Sequence, residues 1–176
     1  IREEQRHSAW LAGFMDLNGI PRLETHWIDS IFRQIRVLAG LELSVAVLVS
    51  AEVIAVPFYR ALGRATRSPL LRALCDQILK DEDEHLEYQG RTLGLIRGGR
   101  GWSKSLRWAA HRLFQEATNV IVWIEYNAVF RAAGYGFAQF RHESMGAFEQ
   151  LKRAAAHAAA AGQARARRGV AFGRPF

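Results

Sequence analysis

Between Val37 and Tyr59 the only charged residues are Glu42 and Glu52. An apolar run of about 20 residues is long enough to cross a bilayer, and it equally fits a helix buried inside a protein. The two acids favour the second. A carboxylate near a bilayer centre costs roughly 2.5 to 3.5 kcal/mol on insertion scales, whereas a partner inside a protein can compensate it. The segment is therefore expected to be a core helix of an all-α protein. Glu52 then needs explaining, because a buried acid calls for a hydrogen bond, a cation or a metal ion.

The rest of the chain suits one core. Of 176 residues, 49% are hydrophobic and 23% charged, which excludes disorder throughout. We expect one helical domain over 1–162 and a basic tail over 163–176. Lys and Arg outnumber Asp and Glu 24 to 17, but the excess is scattered and thickens only at Arg165, Arg167, Arg168 and Arg174. A diffuse basic balance without a recognition motif argues against nucleic acid as a partner. Cys75, the single cysteine, can form no internal disulfide and no Cys-rich zinc site, so a cytoplasmic setting is expected. Contact with a membrane surface and assembly into a homo-oligomer are both compatible with the sequence. The charged opening (Arg2, Glu3, Glu4, Arg6) has no apolar signal-peptide core behind it, and a start at Ile1 suggests further residues upstream.

Turn signals divide the chain. An opening arm or short helix runs into Asn18-Gly19-Ile20-Pro21. A first long helix is predicted from Leu23 to about Leu62, ending at Gly63, with Pro57 distorting it just beyond Glu52. Ser68-Pro69 offers an N-cap and a first-turn proline for a second helix reaching Ile96. Gly90 and Gly94 weaken its last turns. Ser103 can cap a third helix, whose apolar face runs through Leu106, Leu113, Val120 and Ile124 and which stops at Gly134-Tyr135-Gly136. The fourth covers Phe137 to Ala161. Four long helices joined by short connections describe a four-helix bundle.

Within the second helix, Glu82-x-x-His85 places a carboxylate and an imidazole on one face, where both can reach one ion. By chance alone, 12 Glu and 6 His in this chain yield about 0.4 such pairs, so the motif needs support. Glu52 supplies it. In a helical hairpin, residues equally far from the turn lie level, and Glu52 and Glu82 average to position 67, inside the Gly63 to Ser68 connection. Asp81 could fix the tautomer of His85 by accepting its other N–H, and Tyr59 could line the site.

These residues carry a resemblance. Glu52, with Ala55 and Tyr59 after it and Glu82-x-x-His85-Leu86 thirty residues on, resembles the first half of ferritin-like di-iron proteins, notably demethoxyubiquinone hydroxylases and rubrerythrins. The likeness covers about Ala51 to Leu86. It implies a ferritin-like four-helix bundle holding two irons, with Glu52 a terminal ligand, Glu82 a bridging carboxylate and His85 a nitrogen ligand. Manganese, or a single metal, would suit the same donors. The implied activity is oxidation of a small hydrophobic molecule with O₂ or a peroxide. The alternative is a degenerate, metal-binding or structural bundle.

The second half of the pattern matches less well. Glu125 follows five apolar residues and is the natural third-helix ligand, yet Ala154 stands where a carboxylate three before His157 belongs. Glu125 is level with about Met145, which leaves His157 roughly 18 Å too far along. Glu143 is nearer in level but about 100° from the centre of its helix's apolar face. We expect Glu125 to reach toward Glu52 and Glu82, and the fourth helix, with Ser144 on its apolar face, to give no strong ligand.

Overall fold

The computed structural model describes the backbone of residues 2–22, 40–98 and 102–171. Among them are five helices and no strand: α1 (Arg2–Leu17), α2 (Leu41–Ala65), α3 (Pro69–Ile96), α4 (Trp102–Ala132) and α5 (Phe137–Ala171). The all-α expectation holds. The 23–39 part of the predicted first helix, and the side chains of Arg165, Arg167, Arg168 and Arg174, lie outside what is described.

Local chemistry sets the ends. Ser68 adopts extended backbone and its hydroxyl accepts from the amide of Leu71, with Pro69 in the first turn, as predicted for the start of α3. Gly19 (φ 62°) and Gly134 (φ 81°) close α1 and α4 in the left-handed conformation. In each case the next amide reaches back five residues, Ile20 to Met15 and Tyr135 to Phe130, satisfying carbonyls that the helix end leaves unpaired. Of the two forms expected for the opening, an arm or a short helix, it is a helix, of 16 residues. Two expectations are corrected. The first long helix begins at Leu41, because Gly40 is extended, and passes Gly63 to end at Ala65. α5 continues through Gly162 to Ala171.

α3 packs against both α2 and α5, α2 also meets α4 and α5, and α1 rests on α3. One core cluster joins Val49, Val53 and Val56 of α2 to Leu86 of α3 and Ala147, Phe148 and Leu151 of α5. A second, around Phe130 and Phe140 with ring centroids 4.3 Å apart, fills the α4–α5 corner against Ile54 and Ala61. Burying each such ring contributes about 2 to 3 kcal/mol. By length and composition α2 could cross a membrane, and 44% of its most apolar stretch is buried against the other helices.

Gly90 and Gly94 have a packing role. A Cβ on Gly94 would lie 2.2 Å from the carbonyl oxygen of Ala155, and one on Gly90 2.7 Å from that of Leu151. Their bare backbone lets α3 and α5 approach closely, which outweighs their weak helix propensity.

The face of α4 is the reverse of the one predicted. Leu113 is 72% exposed and Ile124 67%, with Leu106 and Val120 also outward, while His111, Gln115, Thr118 and Asn119 are buried. These polar groups turn inward because partners await them. Ser144 of α5 donates to the Asn119 Oδ1 at 2.7 Å and accepts from Gln115 at 3.4 Å, and His111 meets Ser50 of α2 at 3.2 Å.

Candidate metal centre

α3 brings Asp81, Glu82 and His85 to one end of its contact with α1, and Glu52 approaches from α2. Glu52 lies near enough to Glu82 for its charge to be felt there: burial, then the charges of Glu4 and Glu52, raise Glu82 to about 8. Burial raises Glu52 to about 7. Gln89, one turn beyond His85, donates to the Glu52 Oε1 at 3.5 Å.

α1 supplies the part that was not foreseen. Glu4 and His7 form a second Glu-x-x-His, and one donor atom each from Glu4, His7 and Glu82 lie within 4.8 Å of one another. The Nδ1 of His85 lies 3.2 Å from the Glu4 Oε1 and 3.7 Å from the Glu82 Oε2, and the Nδ1 of His7 lies 3.9 Å from the Glu82 Oε1. Glu82 is thus shared between the two histidines.

Both rings are anchored from behind. The Nε2 of His7 sits 2.8 Å from the Asp81 Oδ2, and the Nε2 of His85 sits 3.0 Å from the Glu3 Oε2. A proton on each Nε2 donates to these acids and leaves each Nδ1 lone pair facing the cluster, the arrangement that orients histidines toward a metal. Asp81, expected to hold His85, holds His7 instead, because α1 inserts its own imidazole there. Glu3 takes the expected role. Burial lowers the pKa of His85, but its bond to Glu3 and the charges of Glu82, Glu52 and Glu4 outweigh this and leave it raised.

The residues fit a cation. The Glu52 Oε2, Glu82 Oε2 and His85 Nδ1 are buried without a hydrogen-bond partner, and buried polar atoms of this kind rarely stay unpaired. Two imidazole nitrogens with three carboxylates are the donor set of iron, manganese or zinc. Glu4, His7, Glu52, Glu82 and His85 could hold such an ion, or two.

Glu125 does not join them. It is exposed on α4, a helix that packs on α2 and α5 and does not meet α3. The expectation failed with the reversal of α4, which turned the flank carrying Glu125 to solvent. His157 is exposed too, and Glu143 pairs with Arg60 at 2.7 Å. The fourth long helix gives the cluster no ligand among the described residues, and Ser144 faces inward. Tyr59 is raised to about 12 by burial and by the charge of Glu82, consistent with a place beside the site. The missed Glu4-x-x-His7 was readable: two such pairs stand in the chain where chance gives about 0.4. No protein-family model, no curated protein and no solved structure matches the chain.

Proposed function

We propose that this protein is a ferritin-like four-helix di-metal carboxylate protein in which Glu4-x-x-His7 and Glu82-x-x-His85, with Glu52, hold two ions. The observation that carries the reading is the pair of Glu-x-x-His motifs on adjoining helices, their Nδ1 atoms turned toward one buried carboxylate with unpaired oxygen. Two such motifs on facing helices are the ligand pattern of carboxylate bundles. Iron or manganese bound there would supply redox chemistry with O₂ or a peroxide. The chain's own contribution is to orient both imidazoles through Asp81 and Glu3, to hold Glu52 and Glu82 in an apolar setting that only a cation relieves, and to exclude water with Val49, Val53 and Leu86. By the resemblance, the activity is oxidation of a small hydrophobic molecule.

A second reading is a metal-binding or structural bundle without oxygenase activity. Exposure of Glu125 favours it, since the carboxylate expected to balance Glu52 is not in the cluster. Anaerobic loading with Fe(II), metal analysis and then O₂ exposure separate the two. The oxidoreductase takes up about two equivalents and consumes O₂; the second reading binds metal and consumes none. His7→Ala and Glu82→Ala each lose at least half the metal, and full occupancy in both variants overturns the centre itself.

A further inference from the structure

α4 buries polar side chains and shows its apolar stripe to solvent. Leu106, Leu113 and Ile124 are more than half exposed, and Val120 and Ile121 more than a third. Exposed apolar residues scattered singly are ordinary on a monomer, but large ones aligned along one helix mark a contact surface. Alanines fill the gaps between them: Ala109, Ala110 and Ala117 are exposed as well. The stripe runs about 27 Å from Leu106 to Ile124 at 1.5 Å per residue and stops short of the bend at Tyr126 (φ −115°, ψ 17°). The charged residues of this stretch, Arg107, Arg112 and Glu116, lie about 80° or more from its centre line.

The order of large and small side chains fits the stripe to its own reverse. Turned end for end about the level of residue 115, it brings Leu113 level with Ala117 of a second copy, Val120 with Ala110 and Ile121 with Ala109, because the members of each pair lie equally far from 115. Each of these layers sets a large side chain beside a small one, and Leu106 and Ile124 close the two ends. At 100° per residue the two members of each layer fall on opposite sides of the centre line, so they pass beside one another instead of colliding. A parallel pairing in register would set Leu113 on Leu113 and Ala117 on Ala117. Complementarity of a patch to itself is what a two-fold contact between identical subunits requires.

The rim favours protein over lipid. Along one edge of the stripe, Arg112 pairs with Glu149 at 3.9 Å and Arg141 with Glu116 at 2.7 Å. An apolar centre bordered by polar groups is the anatomy of a protein interface, whereas a helix lying on an anionic bilayer carries Lys and Arg in excess beside its apolar face. Two facing stripes of this length bury on the order of 1,000 Å² in total, the lower bound for a specific association.

We propose that α4 is a dimerisation helix: two copies of this chain pair antiparallel through the stripe from Leu106 to Ile124, about a two-fold axis at the level of residue 115. The stripe carries none of the proposed metal ligands, so the dimer and the metal centre stand or fall separately.

Sedimentation velocity of the full chain over a concentration series, with and without Leu113→Glu, tests the pairing. Leu113 points outward in the single copy, so the variant keeps its circular dichroism and buries a carboxylate only when two copies meet. The parent sediments as a dimer, and the variant as a monomer with its dissociation constant raised at least a hundredfold. Cysteine substitutions test the register, since a disulfide forms only between closely opposed positions. Ala110→Cys mixed with Val120→Cys gives disulfide-linked dimers, and neither variant does so alone, because each position lies about 15 Å along the seam from its own counterpart. Cys75, fully buried, does not compete. A parent that stays monomeric throughout the series, a Leu113→Glu variant as dimeric as the parent, or cross-linking as strong in the single variants as in the mixture overturns the proposal. Binding of a monomeric parent to phosphatidylglycerol vesicles, lost in Leu113→Glu, also overturns it and assigns the stripe to a lipid surface.

Discussion

His7 and His85 stand with ring centroids 6.3 Å apart, each backed by an acid and each turning its Nδ1 toward Glu82. One comes from the first helix and the other from the third, so the site's symmetry is made by tertiary packing.

That symmetry predicts an unequal response to removal of the two acids behind the rings. Asp81→Asn keeps every proposed ligand but loosens the tautomer and aim of His7, and should weaken metal affinity about 10- to 100-fold. Glu3, half exposed, holds His85 less exclusively, and Glu3→Gln should cost less. Competitive titration with a chelating dye measures both. Affinities equal to the parent's in Asp81→Asn contradict the assigned orientation.

Buried, neutral His111 predicts a loss of stability in acid. Its folded pKa of about 4 lies below the unfolded value of about 6.5, so between these pH values the unfolded chain binds the extra proton. Stability from this residue is complete above pH 6.5 and declines as pH falls toward 4, by about 3 kcal/mol in all. Urea unfolding from pH 7.5 to 4 should show this slope in the parent and lack it in His111→Gln.

Two glycines predict opposite outcomes for the same substitution. Gly94→Ala puts a methyl group onto the backbone of Ala155 and should destabilise by about 1 to 3 kcal/mol or more. Gly146, inside α5 with open space where its Cβ would lie, should gain up to about 1 kcal/mol on the same change. Thermal melts of the two variants decide it, and similar melting temperatures refute the close approach of α3 and α5.

The polar seam between α4 and α5 predicts tolerance. The Gln115 Oε1 and the Asn119 Nδ2 are buried without partners, so Gln115→Met removes one unsatisfied atom while conserving volume. Its melting temperature should be unchanged or higher, because a buried unpaired acceptor costs about 1 to 3 kcal/mol. A marked fall would mean that the seam is worth more than its visible hydrogen bonds.

What could be read from the sequence follows how local each feature is. The start of α3 was fixed by adjacent residues, Ser68 and Pro69, and the level of Glu52 with Glu82 by counting from one turn. The face of α4 was not, because a stripe at helical spacing says that a helix has an apolar side without saying which neighbour will cover it. Gln115 and Asn119 could claim the inside only once Ser144 was known to meet them. Glu4-x-x-His7 is legible as a motif but its place is not: its value depends on α1 lying against α3, and nothing near residue 7 records a contact with residue 81.

Among the described residues α1 touches only α3, and the contact is made largely by Glu3, Glu4, Arg6 and His7. An isolated helix of 16 residues is marginal in water. The groups that would grip an ion are therefore the ones that keep this helix docked, and α1 becomes the segment that opens first and at least cost. Ion entry would then be governed by how often that latch lifts rather than by diffusion, and a loaded centre would slow amide exchange along α1 while leaving the α3–α5 contact unchanged. The kinetics of loading and the breathing of one helix become the same measurement.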